Sequence, residues 1–396
     1  MIPDNCELEI LLGEKTFITN VFSPYDENII NFLSEISKKI FENPTSKQYP
    51  DLISFAFWIR KSNLLVNKKN KINHNSIGLG LAFHIPPSNI PLNFAYSFVF
   101  GLLSGNSNII RVPSKKNFQT KFLINLMKKI LDKKIYSKIK KTNLFIRYDH
   151  NDLINRFYSK NADCRLIWGG DKTIKKFREY STKTTSIDIM FPDKYSFSVI
   201  NSDYLKKINK VELSRLVENF YNDTYLFDQN ACSAPHLIVW TGNNFKEAKN
   251  IFWKKLHSFL KLKYQYNYYV SIKKYNVLLK NLIKAEYIKY HKEHSNLIFR
   301  IGLKNLVKEL DQLKGFAGIF FEYETNNLKS LKKVVNRRYQ TLLYFGMDKK
   351  ELKDIVINNN FRGIDRIVPI GNGLDMNFIW DGYKLDDSLS RIIDIK

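Results

Sequence analysis

Cysteine is scarce in this chain. Only Cys6, Cys164 and Cys232 occur among 396 residues, too few and too scattered for a disulfide framework or a metal cage. No metal site is expected, and a reducing, cytoplasmic setting is. Long apolar runs are lacking as well. The most apolar stretch, residues 93–104, is broken by Ser97 and Gly101 and runs into Gly105-Asn106-Ser107-Asn108, well short of the ~20 residues that a membrane span requires. The opening Met1-Ile2-Pro3-Asp4-Asn5-Cys6-Glu7 has no basic region followed by an apolar core, so it reads as mature sequence rather than a secretory signal. Internal repeats and low-complexity linkers are absent too, which excludes solenoids and tethered arrays.

Acid is the remaining shortage. Against 63 Lys and Arg stand 38 Asp and Glu, a net charge of +25. Such an excess invites a nucleic-acid partner, because clustered cations release counterions from phosphate backbones. The lysines, however, are spread along the chain as doublets, Lys38-Lys39, Lys115-Lys116, Lys128-Lys129, Lys175-Lys176 and Lys254-Lys255, and form no single basic face. Nucleic-acid binding is therefore not expected, whereas attraction of anionic small molecules is.

Large apolar side chains are plentiful, with 29 Phe, 22 Tyr and an apolar fraction of 44%, so the chain can fold on its own core. Its length exceeds one core at ~100–200 residues per domain, and two domains are expected. Residues 30–66 carry helical spacing interrupted by Pro44 and Pro50. After a polar turn at 67–76, short apolar runs alternate with amphipathic stretches. The pattern predicts strands over 77–85, 108–111, 143–148, 165–168 and 196–200, with helices near 91–104, 116–139, 151–159 and 171–181. That is an α/β, doubly wound domain, which binds ligands beyond the carboxyl ends of its strands. From about 205 the rhythm repeats in a second α/β domain: a helix over 208–221, a strand at 237–240, and an amphipathic helix after Asn243-Asn244. Residues 261–310 read as helical, 316–321 and 340–345 as strands, and 363–381 as a loop region rich in Gly and Asp.

Four segments carry chemistry. The run Asp228-Gln229-Asn230-Ala231-Cys232-Ser233-Ala234-Pro235-His236 sets a cysteine in polar, turn-prone sequence, where it reads either as a nucleophile or as a small core residue before a strand. His236 fits a thiolate partner or proton donor, or a structural histidine at a strand edge. In His84-Ile85-Pro86-Pro87-Ser88-Asn89-Ile90-Pro91 a strand stops at two prolines and hands over to a helix capped by Ser88 or Asn89, with Pro91 in its first turn. An amide there either caps the helix or donates to a developing oxyanion. Arg111-Val112-Pro113-Ser114-Lys115 ends a strand with a cap and a cation, suited to phosphate or ribose, or to solvent alone. Gly169-Gly170 between a strand and a helix lets backbone approach a pyrophosphate. The apolar residues of 93–104 suit an acyl channel or core packing.

Taken together, these residues resemble the aldehyde dehydrogenase superfamily and, within it, the LuxC-type acyl-CoA reductase family. Pro87-Ser88-Asn89-Ile90-Pro91 is similar to the superfamily's Pro-Trp-Asn-Phe-Pro motif. Residues 103–111 with Pro113-Ser114 resemble the strand and turn that approach the adenosine. Gly169-Gly170 resembles the turn against the pyrophosphate. Phe191-Pro192-Asp193-Lys194, Gln229 to His236, Arg338-Tyr339-Gln340-Thr341 and Gly363-Ile364-Asp365-Arg366 look closer to the LuxC type. The likeness runs from roughly residue 75 to 391.

The resemblance implies two doubly wound α/β domains with the active site in the cleft between them. Residues 1–204 would hold N-terminal helices and the dinucleotide-binding domain, 205–346 the catalytic thiol domain, and 347–396 a segment packing back across the interface. It implies Cys232 as nucleophile, Asn89 in the oxyanion hole, and cofactor contacts from Pro87, Ser114, Lys115, Gly169 and Gly170. Aligning Lys194 with the Glu-Leu-Gly-Gly-Lys motif of aldehyde-oxidising relatives puts Met190 where the water-activating Glu would stand, so hydrolysis is not expected. Lys115 stands where relatives using NAD often carry Glu, which favours the 2′-phosphate of NADPH. The implied reaction is NADPH-dependent reduction of an acyl thioester, from acyl-CoA or an acyl-protein, to the aldehyde. An acyl-protein synthetase is the implied partner, and a homo-oligomer stays open. The rival readings are an NAD(P)-dependent aldehyde dehydrogenase and a non-catalytic acyl- or nucleic-acid-binding protein on the same fold.

Overall fold

Strand-forming runs in this chain are short because glycine, proline and asparagine interrupt them, and most of the runs become strands of two large sheets. The computed structural model describes residues 7–14, 17–71, 75–87, 90–266, 268–282 and 285–396. The chain divides into two compact units, Met1–Pro192 with Met376–Lys396, and Asp193–Asp375. Among the described residues no helix is long and apolar enough to cross a membrane.

The first unit contributes strands β1 (Glu9–Leu12), β2 (Ser76–Gly78), β3 (Leu81–Ile85), β4 (Ser107–Arg111), β5 (Asn143–Arg147), β6 (Cys164–Trp168) and β7 (Ile187–Phe191). Six of these form one sheet in the order β1-β5-β4-β3-β6-β7, all parallel except the antiparallel edge strand β1. The chain leaves β3 toward β4 and β5, then returns to β6 on the other side, so the switch point lies between β3 and β6. The single strand expected over 77–85 is two strands. Gly80 breaks it, with φ at +136° and no room for a Cβ, which would stand 2.3 Å from Asp163 Oδ2. β2 turns away to pair with Ser390–Ile392 near the C-terminus.

That pairing is reinforced by side chains. Lys71 is buried and donates to Asp386 O at 2.9 Å and Asp387 Oδ1 at 2.6 Å. Tyr25 OH donates to Asp386 Oδ2 at 3.0 Å, and Asn106 Nδ2 to Leu389 O at 2.8 Å. The expected C-terminal segment 347–396 is thus divided: residues from Met376 complete the first unit, and those before it belong to the second.

A chain of buried polar groups threads the first core. Asn108 Nδ2 donates to Asn106 O and Asn143 Oδ1, which leaves its Oδ1, 3.0 Å from His84 Nε2, as an acceptor. His84 therefore carries its proton on Nε2. Its Nδ1, 2.9 Å away, accepts from Ser97 Oγ, which in turn accepts from Trp168 Nε1 at 3.2 Å. Burial lowers the His84 pKa to about 4. Gly101 makes room for this network, since a Cβ there would lie 2.1 Å from Asn108 Oδ1.

The second unit holds β8 (Tyr195–Asn201), β9 (Pro235–Thr241), β10 (Ile288–His294), β11 (Ile298–Leu303), β12 (Ile319–Glu324), β13 (Tyr339–Phe345) and β14 (Arg366–Pro369) in the order β10-β11-β12-β9-β8-β13-β14. Only the β10–β11 pair is antiparallel. β8, expected over 196–200 as part of the first domain, lies centrally in this second sheet, so the divide expected after 204 falls inside the second unit. Residues 261–310, expected as helical, contain helix Tyr268–Leu282 but also β10 and β11. β11 is buried along its whole length and β10 is its half-exposed edge partner, so tertiary burial overrides the local bias toward helix.

Beneath this sheet the fully buried Glu322 takes Nε1 donors from Trp240 and Trp253 at 2.9 Å, Tyr290 OH at 2.6 Å and Arg300 Nε at 2.9 Å. Burial pushes its pKa up, but Lys249 and Arg300 outweigh that and hold it below the usual carboxylate value. The charge is retained because every lone pair finds a donor.

The His84 network sets an acid limit. In the unfolded chain the imidazole titrates near 6.5, whereas the native one stays neutral down to about 4. Unfolding thus takes up a proton, and stability that is full above pH 6.5 falls by about 1.4 kcal/mol per pH unit between these values. Thermal melts of His84→Gln should start lower at pH 7 yet decline less steeply between pH 6.5 and 4. Equal slopes for the two proteins would contradict this role.

Candidate active site

Three of the sequence-predicted segments leave neighbouring parallel strands at one edge of the first sheet. Pro87 follows β3, Ser114 and Lys115 follow β4, and Gly169-Gly170 follows β6. This is the carboxyl edge, and β3 and β6 flank the switch point, where open α/β sheets take nucleotides. Gly170 is the N-cap of helix Asp171–Arg178 with no side-chain cap of its own. It is exposed, and a Cβ added to it meets nothing within 4 Å. Space and amide groups for a pyrophosphate therefore exist there. Ser114 and Lys115 are exposed. Ser114 Oγ lies 3.4 Å from Tyr148 O, and Lys115 forms no ion pair among the described residues.

Asn89 and Ser88 lie outside the described residues. The helix expected to start at them begins at Asn93 with Leu92 as N-cap, so Pro91 precedes its first turn rather than occupying it. From Phe94 to Leu103 every residue of that helix is buried, and this apolar stretch is core.

The cysteine loop joins helix Lys210–Thr224 to the amino end of β9. Asp228 and Gln229 both take left-handed backbone, with φ of +50° and +59°. Gln229 is buried and its amide is fully used: Nε2 donates to Pro235 O and Ile319 O, both at 3.2 Å, and Oε1 accepts from Gly318 N at 2.8 Å. Asp228 accepts from Tyr264 OH at 2.5 Å, and its carbonyl from Ala317 N at 3.2 Å. The loop is thereby tied to the segment entering β12 before Cys232 is reached.

Cys232 is half-buried, in contrast to the fully buried Cys164 on β6, whose thiol burial pushes far above its ordinary value. Ser196 Oγ donates to Cys232 O at 2.7 Å and itself accepts from Thr341 N at 3.1 Å. Gln340 Nε2 donates to Cys232 Sγ at 3.4 Å. The amide orientation is fixed, because Gln340 Oε1 accepts from Thr341 Oγ1 at 3.1 Å. Both residues sit where the ladder is irregular, between Ser196 and Phe197 and between Tyr339 and Leu342. Bulges of this kind re-aim side chains. A donor aimed at sulfur favours the thiolate.

Behind Gln340, Asp365 N donates to Gln340 O at 2.8 Å, and the Asp365 carboxylate pairs with the buried Lys194 at 3.0 Å. Lys194 also donates to Arg337 O at 3.1 Å. Beside this pair opens a cavity of about 350 Å³ lined by Arg337, Phe361, Arg362, Gly363 and Asp365. His236 is buried, its Nδ1 accepts from Gly315 N at 3.1 Å, and its ring packs 5.4 Å from that of Tyr195. Burial, with Lys314 adding to it, lowers its pKa to about 3, so it is a neutral structural histidine. Gln340 and Ser196 carry no sequence signal as functional groups beyond standing in stretches that resemble the reductase family.

A family profile described as acyl-CoA reductase (LuxC) matches residues 64–391. Among curated proteins, a long-chain acyl-protein thioester reductase of Photorhabdus luminescens is 24% identical over 181 residues, 45% of this chain and 35% of the relative. One from Vibrio harveyi is 23% identical over the same shares. The match thus spans about a third of the length of these relatives. Among solved structures, an NAD-dependent benzaldehyde dehydrogenase from Corynebacterium glutamicum superposes with a TM-score of 0.64 at 10% identity, covering 94% of this chain and 85% of the other. The glyceraldehyde-3-phosphate dehydrogenase GapN from Methanocaldococcus jannaschii, complexed with NADP, gives 0.64 at 12% identity, covering 92% and 88%. At such identity the likeness is one of fold, and the fold is that of the aldehyde dehydrogenases.

Removing the Gln340 donor should make the thiolate harder to form. For Gln340→Leu, alkylation of Cys232 by iodoacetamide, followed against pH, should shift its midpoint up by on the order of one pH unit, the effect of losing one hydrogen bond to a charged group. An unmoved midpoint in a folded variant would remove Gln340 from the site.

Proposed function

The chain belongs to the acyl-CoA reductase (LuxC) family, and on that premise we propose that it reduces an acyl thioester to the aldehyde through an acyl group carried on Cys232, with NADPH as reductant. The observation that carries this reading is the half-buried Cys232 sulfur receiving the fixed Nε2–H of Gln340 at 3.4 Å. As thiolate, Cys232 attacks the thioester carbon. The new C–S bond forms as the bond to the donor sulfur breaks, and the donor leaves as a thiolate that takes a proton from water. Asn89 and the backbone N–H of Cys232 are the proposed donors to the oxyanion. NADPH, when bound, supplies the hydride that takes the acyl carbon to the aldehyde level. Cys232 then leaves as thiolate and is ready for another acyl group.

Pro87, Ser114, Lys115, Gly169 and Gly170 are the residues proposed to hold the cofactor. The open carbon of Gly170 at a helix start supports pyrophosphate contact, and the exposed Lys115, in no ion pair among the described residues, supports a 2′-phosphate. Met190 is buried in the core of the first unit and offers no base at the position that activates water in hydrolytic relatives. That supports exchange between thioester and aldehyde over release of the acid.

The acyl donor is proposed as a fatty acyl-CoA or an acyl-protein delivered by a synthetase. Arg337 and Arg362 beside the cavity suit the phosphates of CoA, while the named relatives are reductases of long-chain acyl-protein thioesters. A free catalytic thiol fits a reducing compartment, so the cytoplasm is the proposed location.

Incubation with radioactive acyl-CoA should label wild type covalently and leave Cys232→Ala unlabelled. Labelling of the alanine variant would exclude Cys232 as the acyl carrier. Asn89→Ala should lower the NADPH-dependent rate by about 10²–10³-fold with little change in acyl-CoA affinity; a rate within a few-fold of wild type would remove Asn89 from the oxyanion site. Lys115→Glu should reverse the preference of NADPH over NADH in kcat/KM, and an unchanged ratio would assign the discrimination elsewhere.

A further inference from the structure

Helix Tyr268–Leu282 has two apolar faces, one buried and one largely exposed, with Tyr275 of the second also meeting the buried Phe299 edge-on at 5.9 Å. Val270, Lys274, Leu278 and Asn281 are buried. Lys274 anchors the helix by donating to Asn296 O at 2.7 Å and Leu297 O at 3.1 Å. On the opposite side Tyr268, Ile272, Tyr275 and Leu279 recur at the spacing of one helical stripe. They are exposed to 91%, 66%, 45% and 57%. Leu262, near the end of the preceding helix Phe245–Lys263, is 87% exposed and Tyr269 is 74% exposed. Single exposed apolar residues are ordinary, but an aligned set on one helix marks a binding face.

Along this stretch of the chain the charge has one sign, and Glu293 of β10 is the carboxylate that acts on the buried Lys274. From Ala248 to Ala285 the sequence holds no Asp or Glu. Lys261, Lys263, Lys273 and Lys280 are exposed and form no ion pair among the described residues. Leu262 and Tyr268 project almost wholly into solvent. A protein partner would need a rim and a shaped pocket to seat such side chains, whereas lipid takes them without shape matching. Tyrosines, with an apolar body and a polar tip, suit the boundary between headgroup and acyl chain.

We propose that this helix face, with the end of the helix before it, docks the protein onto anionic lipid surfaces. The apolar stripe enters the headgroup boundary and the lysines flank it on phosphate. Docking goes beyond the proposed reduction and does not depend on it.

The test is flotation of the full chain with vesicles of phosphatidylcholine alone and of phosphatidylcholine with phosphatidylglycerol. Binding is expected only to the second kind, and it should fall as salt rises. Two variants, Tyr268→Ser/Ile272→Ser/Leu279→Ser and Lys261→Gln/Lys263→Gln/Lys273→Gln/Lys280→Gln, should each reduce the partition at least about tenfold, with thermal melts and NADPH oxidation on soluble acyl-CoA unchanged. Loss of that activity in the unmutated chain would bear on the reductase reading alone. The proposal is overturned by absence of vesicle binding in wild type, or by binding that the serine variant retains, which would mark a general polyanion surface. It is also overturned if the serine variant converts a dimer to a monomer in sedimentation while vesicles leave the wild type unbound, because the stripe would then face a second copy.

Discussion

The side-chain amide of Gln229 holds the cysteine loop in place. Two consecutive residues, Asp228 and Gln229, adopt left-handed backbone, a conformation that side chains other than glycine resist. The loop keeps it because the buried amide is satisfied at both ends, by Pro235 O and Ile319 O on one side and Gly318 N on the other. Without that clamp a short polar loop would have no reason to present its cysteine at one place. With it, Ser196 can fix the Cys232 carbonyl and Gln340 can reach the sulfur. Strained backbone here serves positioning, as it does at many functional sites.

The two units use opposite ends of the same kind of sheet. In the first, the candidate cofactor residues gather where parallel strands end and helices begin, the edge that helix dipoles make favourable for anions. In the second, Cys232, Ser196 and Gln340 gather at the amino ends of β9, β8 and β13. That edge has no such dipole advantage, and irregular pairing there redirects individual side chains.

Much of the fold was legible because its signals are local. Short apolar runs closed by turn-forming residues, Pro113, Asp149, Gly169 and Asn201-Ser202, marked β4, β5, β6 and β8 to within a residue or two, and helical periodicity marked the lead-in and the helix Phe245–Lys263. The parts that escaped depend on partners distant in sequence. β10 reads as a charged, tyrosine-bearing helix until β11 lies beside it. The allocation of β8 to the second sheet is settled by its ladders with β9 and β13. Cys232 stood out because cysteine is rare and its surroundings polar. Gln340 did not, since a glutamine in a strand signals nothing until a bulge turns it toward sulfur. His236 suited either a proton donor or a structural histidine in sequence, and burial beside Lys314 keeps it neutral.

The return of residues from Met376 onward to the first unit bears on how the protein is made. Lys71, Tyr25 and Asn106 all await groups between Asp386 and Leu389, and β2 awaits Ser390–Ile392. On the ribosome, the half that emerges early must remain with an open seam while the whole of the other half is translated, and segment 386–392 closes it only after that.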